Sequence, residues 1–353
     1  MNILIHPGFP KTATTYTQQV YSNLNDILYL GKDADHRFIS DDLRVAHYKL
    51  FNCLNSKNNN NNNNNNIGLS EEQIALIENF SKLISKSIVE SNKSNIVLSD
   101  ELIFSNIQGN KNILLAINLL LANVEILVNR KFLKRILLVT VREQASLLQS
   151  AFPYEYSVWK EHAKDEKGLI NFLKNNMAHD LFSTFWFYEV TKFAEENLEN
   201  FELSILPFEY LENNKKIFNR GLFYGLDIEL SKIDKVNVGI INSNSTTKNM
   251  QKINYYLVPT KFSELRSKLK LTSRLHTLIK KTNLLNSLPD KMISFLRIKV
   301  NTFKPRQKYR SEKKPFVLSA QGKRSIQNVF ASSNKKLDDK LKLKLKELGY
   351  RLE

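Results

Sequence analysis

The sequence predicts an α/β protein, with a central parallel sheet flanked by helices and a basic helical extension near the C-terminus. Three observations carry this. Four short runs, "NILIH" (2–6), "NIVLSDELIFS" (95–105), "RILLVTV" (135–141) and "FELSILPFEYL" (201–211), are apolar along much of their length, as strands covered on both faces are. Segments with helical spacing separate them, and strand–helix alternation is the signature of parallel sheets. Finally, residues 261–314 hold 16 Lys/Arg against Glu264, Asp290 and Glu312, so 16 − 3 = +13 of the net +17 lies in this one stretch.

The first strand stops at Pro7-Gly8, and helical character runs from about Thr14 to Leu24; residues 33–57 are mixed. Nine consecutive Asn (58–66) cannot bury apolar surface and predict a floppy loop. "SEEQIALIENFSKLISKSIVES" (70–91) has a Ser cap, acids in its first turn, and Ile74, Ile77, Leu83, Ile84 and Ile88 on a helical spacing. Further helices are predicted over 111–129, 143–151, 167–178 and 181–198. Three parts follow: an α/β domain (1–255), a basic amphipathic helical segment (256–315) and a C-terminal helical segment (316–353) that packs back on the domain.

Composition narrows the classes. A 42% apolar share with 10% aromatics belongs to a chain that builds a core. One cysteine, Cys53, excludes an internal disulfide and a four-cysteine zinc site, and fits a reducing compartment. The six histidines show no H-x3-H spacing, so no metal site is expected. No run of 18 apolar residues predicts a spanning helix, and the N-terminus lacks the features of a secretory signal. A cytoplasmic protein is expected. The basic stretch 261–314 predicts peripheral contact with an anionic membrane at its inner face, with a solvated helix face as the plainer alternative. No RNA-recognition or finger spacing supports specific nucleic-acid binding. Trp159 and Trp186 read as core, Glu209 as a structural acid at a strand end, and 242–250 as a surface loop.

The stretch "HPGFPKTATTY" (6–16) is the most informative. A loop running from a strand into a helix places backbone N–H groups and the positive helix end around an anion. Gly8 permits tight geometry, Lys11 supplies charge, and Thr12, Thr14 and Thr15 offer hydroxyls. The triphosphate loop G-x-x-x-x-G-K-[ST] is not present, because the second Gly before Lys is missing. Downstream, "VREQASLLQSAF" places Arg142 at the end of a strand and Ser150 eight residues later on a helix, where a guanidinium and a hydroxyl can hold one phosphate. Asp100 and Glu101 follow another strand and His6 ends the first; each is a candidate base.

Together these segments resemble the cofactor motifs of sulfotransferases that use 3′-phosphoadenosine 5′-phosphosulfate (PAPS), in particular bacterial carbohydrate-type members. "HPGFPKTATTYTQQ" resembles the 5′-phosphosulfate loop and "VREQASLLQSAF" the 3′-phosphate motif. "LSDELIF" is similar to the acidic step after the family's next strand, "ILPFEYL" to the later strand, and "FASSNKKLDDKLKLKLKELGY" resembles the Ser-Asn-x-x-Leu…Gly-Tyr ending. Ala13 stands where the family has Gly, and the Arg-Lys-Gly cofactor-covering loop of cytosolic small-molecule members is missing. The resemblance implies a P-loop-containing nucleotide-hydrolase-like fold and transfer of a sulfuryl group from PAPS to a hydroxyl or amine of a carbohydrate, glycolipid or polysaccharide, leaving PAP and requiring no metal. It also implies that the Lys11, Thr12, Ala13, Thr14 and Thr15 segment holds the 5′-phosphosulfate, with Lys11 at the reacting end, and that Arg142 and Ser150 hold the 3′-phosphate. Which of Glu101, Asp100 and His6 is the base stays open. Two other classes compete: an ATP-dependent small-molecule kinase with a degenerate loop, and a non-catalytic anion- or membrane-binding protein.

Overall fold

The computed structural model describes residues 1–9, 11–32, 40–55, 68–100, 103, 111–154, 163, 165–177, 182, 185–236, 238 and 316–353. Glu101, the Asn tract, Trp159, the 242–250 loop and the basic 256–315 segment lie outside them. The chain divides into two compact units, Met1–Thr246 with Leu318–Glu353, and Thr247–Val317; the account below concerns the first.

Five parallel strands form one sheet: β1 (Asn2–His6), β2 (Ile27–Gly31), β3 (Asn95–Ser99), β4 (Lys134–Val141) and β5 (Phe201–Pro207), in the order β2-β3-β1-β4-β5. The helices between them are α1 (Thr14–Ser22), α2 (Asp41–Asn55), α3 (Glu71–Ser91), α4 (Lys111–Val128), α5 (Gln144–Tyr154), α6 (Glu166–Asn175) and α7 (Phe187–Asn197). After β5 come α8 (Glu209–Asn213), α9 (Lys215–Leu222) and α10 (Leu230–Lys235), and the chain ends with α11 (Ala320–Leu341) and a 3₁₀ turn at Leu345–Leu348.

The α/β expectation holds. Its strand count does not: β2 reads "ILYLG" in a stretch the periodicity left unassigned, because five residues without alternation give no period. It is buried along its length and adds to the outer side of β3, Ile27 opposite Asn95 and Gly31 opposite Ser99. Two predicted strands also end early. β3 stops at Ser99, where the chain turns at Asp100, and β5 stops at Pro207, after which Glu209 begins α8. The mixed stretch after residue 40 yields α2, which buries Leu43, Ala46, His47, Leu50, Phe51 and Leu54. The Ser cap predicted at Ser70 forms, and Gln73 completes it as a capping box: the Ser70 Oγ accepts the Gln73 N–H at 3.2 Å, and the Gln73 side chain accepts the Ser70 N–H at 3.0 Å.

Alternate strand residues face opposite layers. Leu4, Val97, Ile136, Leu138 and Leu206 pack with Tyr16, Val20 and Tyr21 of α1 and Phe218 and Leu222 of α9 in one core. Ile3, Ile5, Ile96, Leu98, Leu137 and Val139 are buried on the other face, toward α3, α4 and α7. α4 is long and apolar enough to cross a membrane by length and composition, although Asn118, Asn123 and Glu125 interrupt its apolar run. Here it packs against α3, with Ile113, Leu114, Ile117, Leu120 and Val124 buried.

The strand order fixes where ligands gather. From β1 the chain passes to β2 on one flank; from β4 it passes to β5 on the other. Neighbouring strands whose connections leave in opposite directions open a crevice beyond their C-terminal ends. β1 and β4 are that pair, and the loops after them begin at Pro7 and Arg142.

Candidate functional site

The loop from β1 to α1 is held from below. Thr12 is fully buried, and its hydroxyl donates to the Phe9 carbonyl at 2.7 Å and meets the Thr140 hydroxyl of β4 at 2.8 Å. The Thr14 hydroxyl also donates to Phe9 O, at 3.3 Å. Both hydroxyls are therefore spent on the loop's own shape. Gly8 is needed for close approach, since a Cβ there would lie 2.7 Å from Thr14 Cγ2. The left-handed positions are Lys11 and Ala13, both at φ 66°, where glycine is favoured. Ala13 is the N-cap of α1 and makes no side-chain cap, so the first-turn N–H groups of α1 face the crevice without a capping hydroxyl. Backbone N–H groups of a left-handed turn at a helix start are a cradle for an anion.

Arg142 reaches this loop from the neighbouring strand. Its Nη1 donates to the Lys11 carbonyl at 3.1 Å, and its Cζ lies 4.3 Å from the centroid of the Phe208 ring. Burial pulls its pKa down, against the charges of Glu212, Glu209, Tyr350 and Glu143. Sequence proximity placed Arg142 with Ser150; the structure places it against Lys11. Ser150 is half-buried on α5, six residues after Gln144 and so about 9 Å along the helix axis. Thr15 is half-buried on the first turn of α1.

The corner carrying Arg142 is built by residues far apart in sequence. Glu143 caps α5, accepting the N–H groups of Ala145 and Ser146 at 2.8 Å each. Its own N–H donates to Glu209 Oε1 at 2.8 Å, and the Tyr350 hydroxyl donates to Glu209 Oε2 at 2.9 Å. Burial raises the Glu209 pKa, partly offset by these donors, and drives that of the buried Tyr350 well above its ordinary value. Gln144 and Asn334 exchange amide hydrogen bonds at 2.7 and 3.1 Å, and Leu337 and Leu345 are fully buried. Asn334, Leu337 and Tyr350 of the C-terminal motif thus serve as ties to the β4–α5 corner.

His6 is fully buried between strands: Nδ1 is 2.8 Å from Ser99 Oγ and Nε2 3.3 Å from Thr140 Oγ1. Burial lowers its pKa to about 3, which keeps the ring neutral and places it far from the value useful to a base near neutrality. Thr140, which joins His6 to Thr12, was missed; a Thr inside an apolar strand carries no signal in the sequence. On the β3 side, Asp100 is buried and pairs with Lys32 Nζ at 3.1 Å. The Lys32 ammonium lies 5.1 Å from the Tyr48 ring centroid. Burial works to lower the Lys32 pKa, but the Asp100 charge and hydrogen bonds to Tyr48 and Asp100 outweigh it and leave it raised. Nearby, His47 is lowered to about 4, chiefly by burial. Lys32, directly after β2, and Tyr48, on α2, carry no signal of this pairing in the sequence.

The site therefore has two flanks. Arg142 stands on the β4 side of the loop, the Lys32–Asp100 pair on the β3 side, and the loop with Lys11 between them. Among the described residues, no group of three His, Cys, Asp or Glu is placed to hold a metal ion. No family model, curated protein or solved structure matches the chain.

Proposed function

We propose that the chain is a PAPS-dependent sulfotransferase acting on a hydroxyl or amine of a carbohydrate-type acceptor, and that its α/β domain has the P-loop nucleotide-hydrolase-like fold. The observation that carries this reading is the meeting of Arg142 with the Lys11 backbone at the β1/β4 crevice. It brings the Arg142 guanidinium, 131 positions away in sequence, against the backbone of the Lys11 loop, which supports a shared role for the two segments in holding a phosphorylated ligand.

In this reading the N–H groups from Lys11 to Thr15 hold the 5′-phosphosulfate, while Thr12 and Thr14 shape the loop. Arg142 and Ser150 hold the 3′-phosphate. The acceptor oxygen attacks sulfur, the bond from sulfur to the bridging phosphate oxygen breaks, and PAP leaves with the new charge on its 5′-phosphate. Lys11 offsets that charge; losing one such donor typically costs about 10²–10³ in rate. A carboxylate takes the acceptor proton. His6 is unsuited because it is buried, neutral and committed to Ser99 and Thr140. Asp100 is committed to Lys32, which leaves Glu101, the next residue, as the base we favour.

Calorimetric titration with 3′,5′-adenosine bisphosphate and with 5′-ADP, each with and without magnesium, tests the reading. A metal-independent preference for the bisphosphate, lost in Arg142→Ala, is the expected result. Tighter binding of 5′-ADP with magnesium would overturn it in favour of a kinase.

A further inference from the structure

At the opposite edge of the sheet, the turn from α4 into β4 carries a feature the proposed chemistry does not use. Ile126, Leu127 and Leu133 remain 75%, 49% and 81% exposed. Single exposed aliphatics are ordinary, but these three sit within eight residues and in a turn that is pinned. The Arg130 N–H donates to Glu125 O at 3.2 Å, the Phe132 N–H to Glu125 Oε1 at 2.7 Å, and the Leu133 N–H to Met1 O at 2.6 Å. The backbone therefore holds the aliphatic tips outward.

The same turn exposes Arg130, Lys131 and Lys134. Its acids cancel only part of this charge. Glu125 is turned inward onto Arg135 at 3.1 Å and Lys134 pairs with Asp227 at 3.6 Å, while among the described residues Arg130 and Lys131 make no ion pair. Aliphatic tips ringed by cations match the boundary between anionic headgroups and acyl chains.

We propose that the α4–β4 turn is a docking surface for an anionic membrane, with Ile126, Leu127 and Leu133 entering the headgroup–acyl boundary and Arg130 and Lys131 binding lipid phosphates. β4 separates this turn from Arg142 by about 26 Å, eight residues at 3.3 Å each, so docking leaves the β1/β4 crevice open to soluble ligands. The contact is distinct from the basic stretch 261–314, and does not depend on the sulfotransferase reading.

The test must separate the turn from that stretch, so the readout is placed in the turn. In the full chain carrying Cys53→Ser and Leu133→Cys, an environment-sensitive dye at position 133 is followed as vesicles are added. With vesicles of 70:30 phosphatidylcholine and phosphatidylserine its emission shifts to the blue; the same dye on Glu347→Cys, exposed in the 3₁₀ turn after α11, does not shift. Ile126→Ser with Leu127→Ser weakens co-sedimentation at least tenfold with an unchanged urea midpoint. Co-sedimentation with no shift at position 133 would assign binding to another surface and overturn the proposal. So would a shift that appears without vesicles and grows with protein concentration, which would make the turn an interface between copies of this chain.

Discussion

Lowering the pH should destabilise the fold through two buried imidazoles, and the effect can be sized from the structure. His6 is lowered to about 3 by burial and His47 to about 4, against 6.5 in the unfolded chain. Between those values the unfolded state binds more protons than the fold, so stability rises with pH across that window. The contribution is complete above about pH 6.5 and is lost as pH falls toward the folded value. From pH 7.5 to pH 5, each ring should remove about 2 kcal/mol, about 4 kcal/mol together. Glu209, raised by burial, acts in the opposite sense, gaining stability as pH falls, so the total is not the best readout. The difference between the wild type and His6→Asn isolates one ring. Urea unfolding at the two pH values should show a drop smaller by about 2 kcal/mol in the variant, whatever the variant's own cost at pH 7.5. Should that variant fail to fold, the imidazole signals of the wild type supply the same test by NMR, the His6 ring staying neutral down to pH 4. A His6 ring that titrates near 6.5, or an equal drop in both proteins, would refute the buried brace and return His6 to the candidate bases.

Three further outcomes follow from the same geometry. Lys32→Met should cost about 3–5 kcal/mol by removing the cation paired with the buried Asp100 carboxylate, and adding Asp100→Asn should recover most of it; urea midpoints of both singles and the double measure this. Ala13→Gly should relieve about 1–2 kcal/mol of left-handed strain and lose about 0.5–1 kcal/mol to the freer unfolded chain, a net gain of about 0 to 1.5 kcal/mol in thermal unfolding; a net loss would show that the Ala13 methyl packs productively. Tyr350→Phe removes the donor to Glu209 Oε2 and should destabilise by about 1–2 kcal/mol, with weaker binding of the bisphosphate because the Arg142 corner loosens; stability and affinity measured on one preparation check both.

Much of the scaffold was legible in the sequence. Apolar runs broken by Pro-Gly, the Ser cap and helical spacing are local signals, set by backbone sterics and by the burial of each strand's two faces. They located β1, β3, β4, β5 and most of the helices between them, and they marked the stretch at residues 6–16 as a turn from strand into helix. β2 escaped because "ILYLG" is too short for a period, and its strand state comes from pairing with β3. With it went Lys32, whose meaning lies in a partner 68 residues away, Asp100.

The tertiary structure decided which polar groups are spent and which face the crevice. Thr12, Thr14 and His6 read as ligand-facing in the sequence, and all three are turned inward, because parallel strands bring Ser99 and Thr140 to either side of His6 and fold Phe9 over the threonines. The left-handed turns at Lys11 and Ala13 follow from the closure of that loop, a backbone property that an Ala does not announce. The C-terminal Asn334 and Tyr350 become supports for Arg142 because α11 and the turn after it return to the β4–α5 corner. Residue types and their order were fixed locally; partners separated by more than a hundred residues were chosen by the sheet, since only the folded chain brings their hydrogen-bonding groups out of water together.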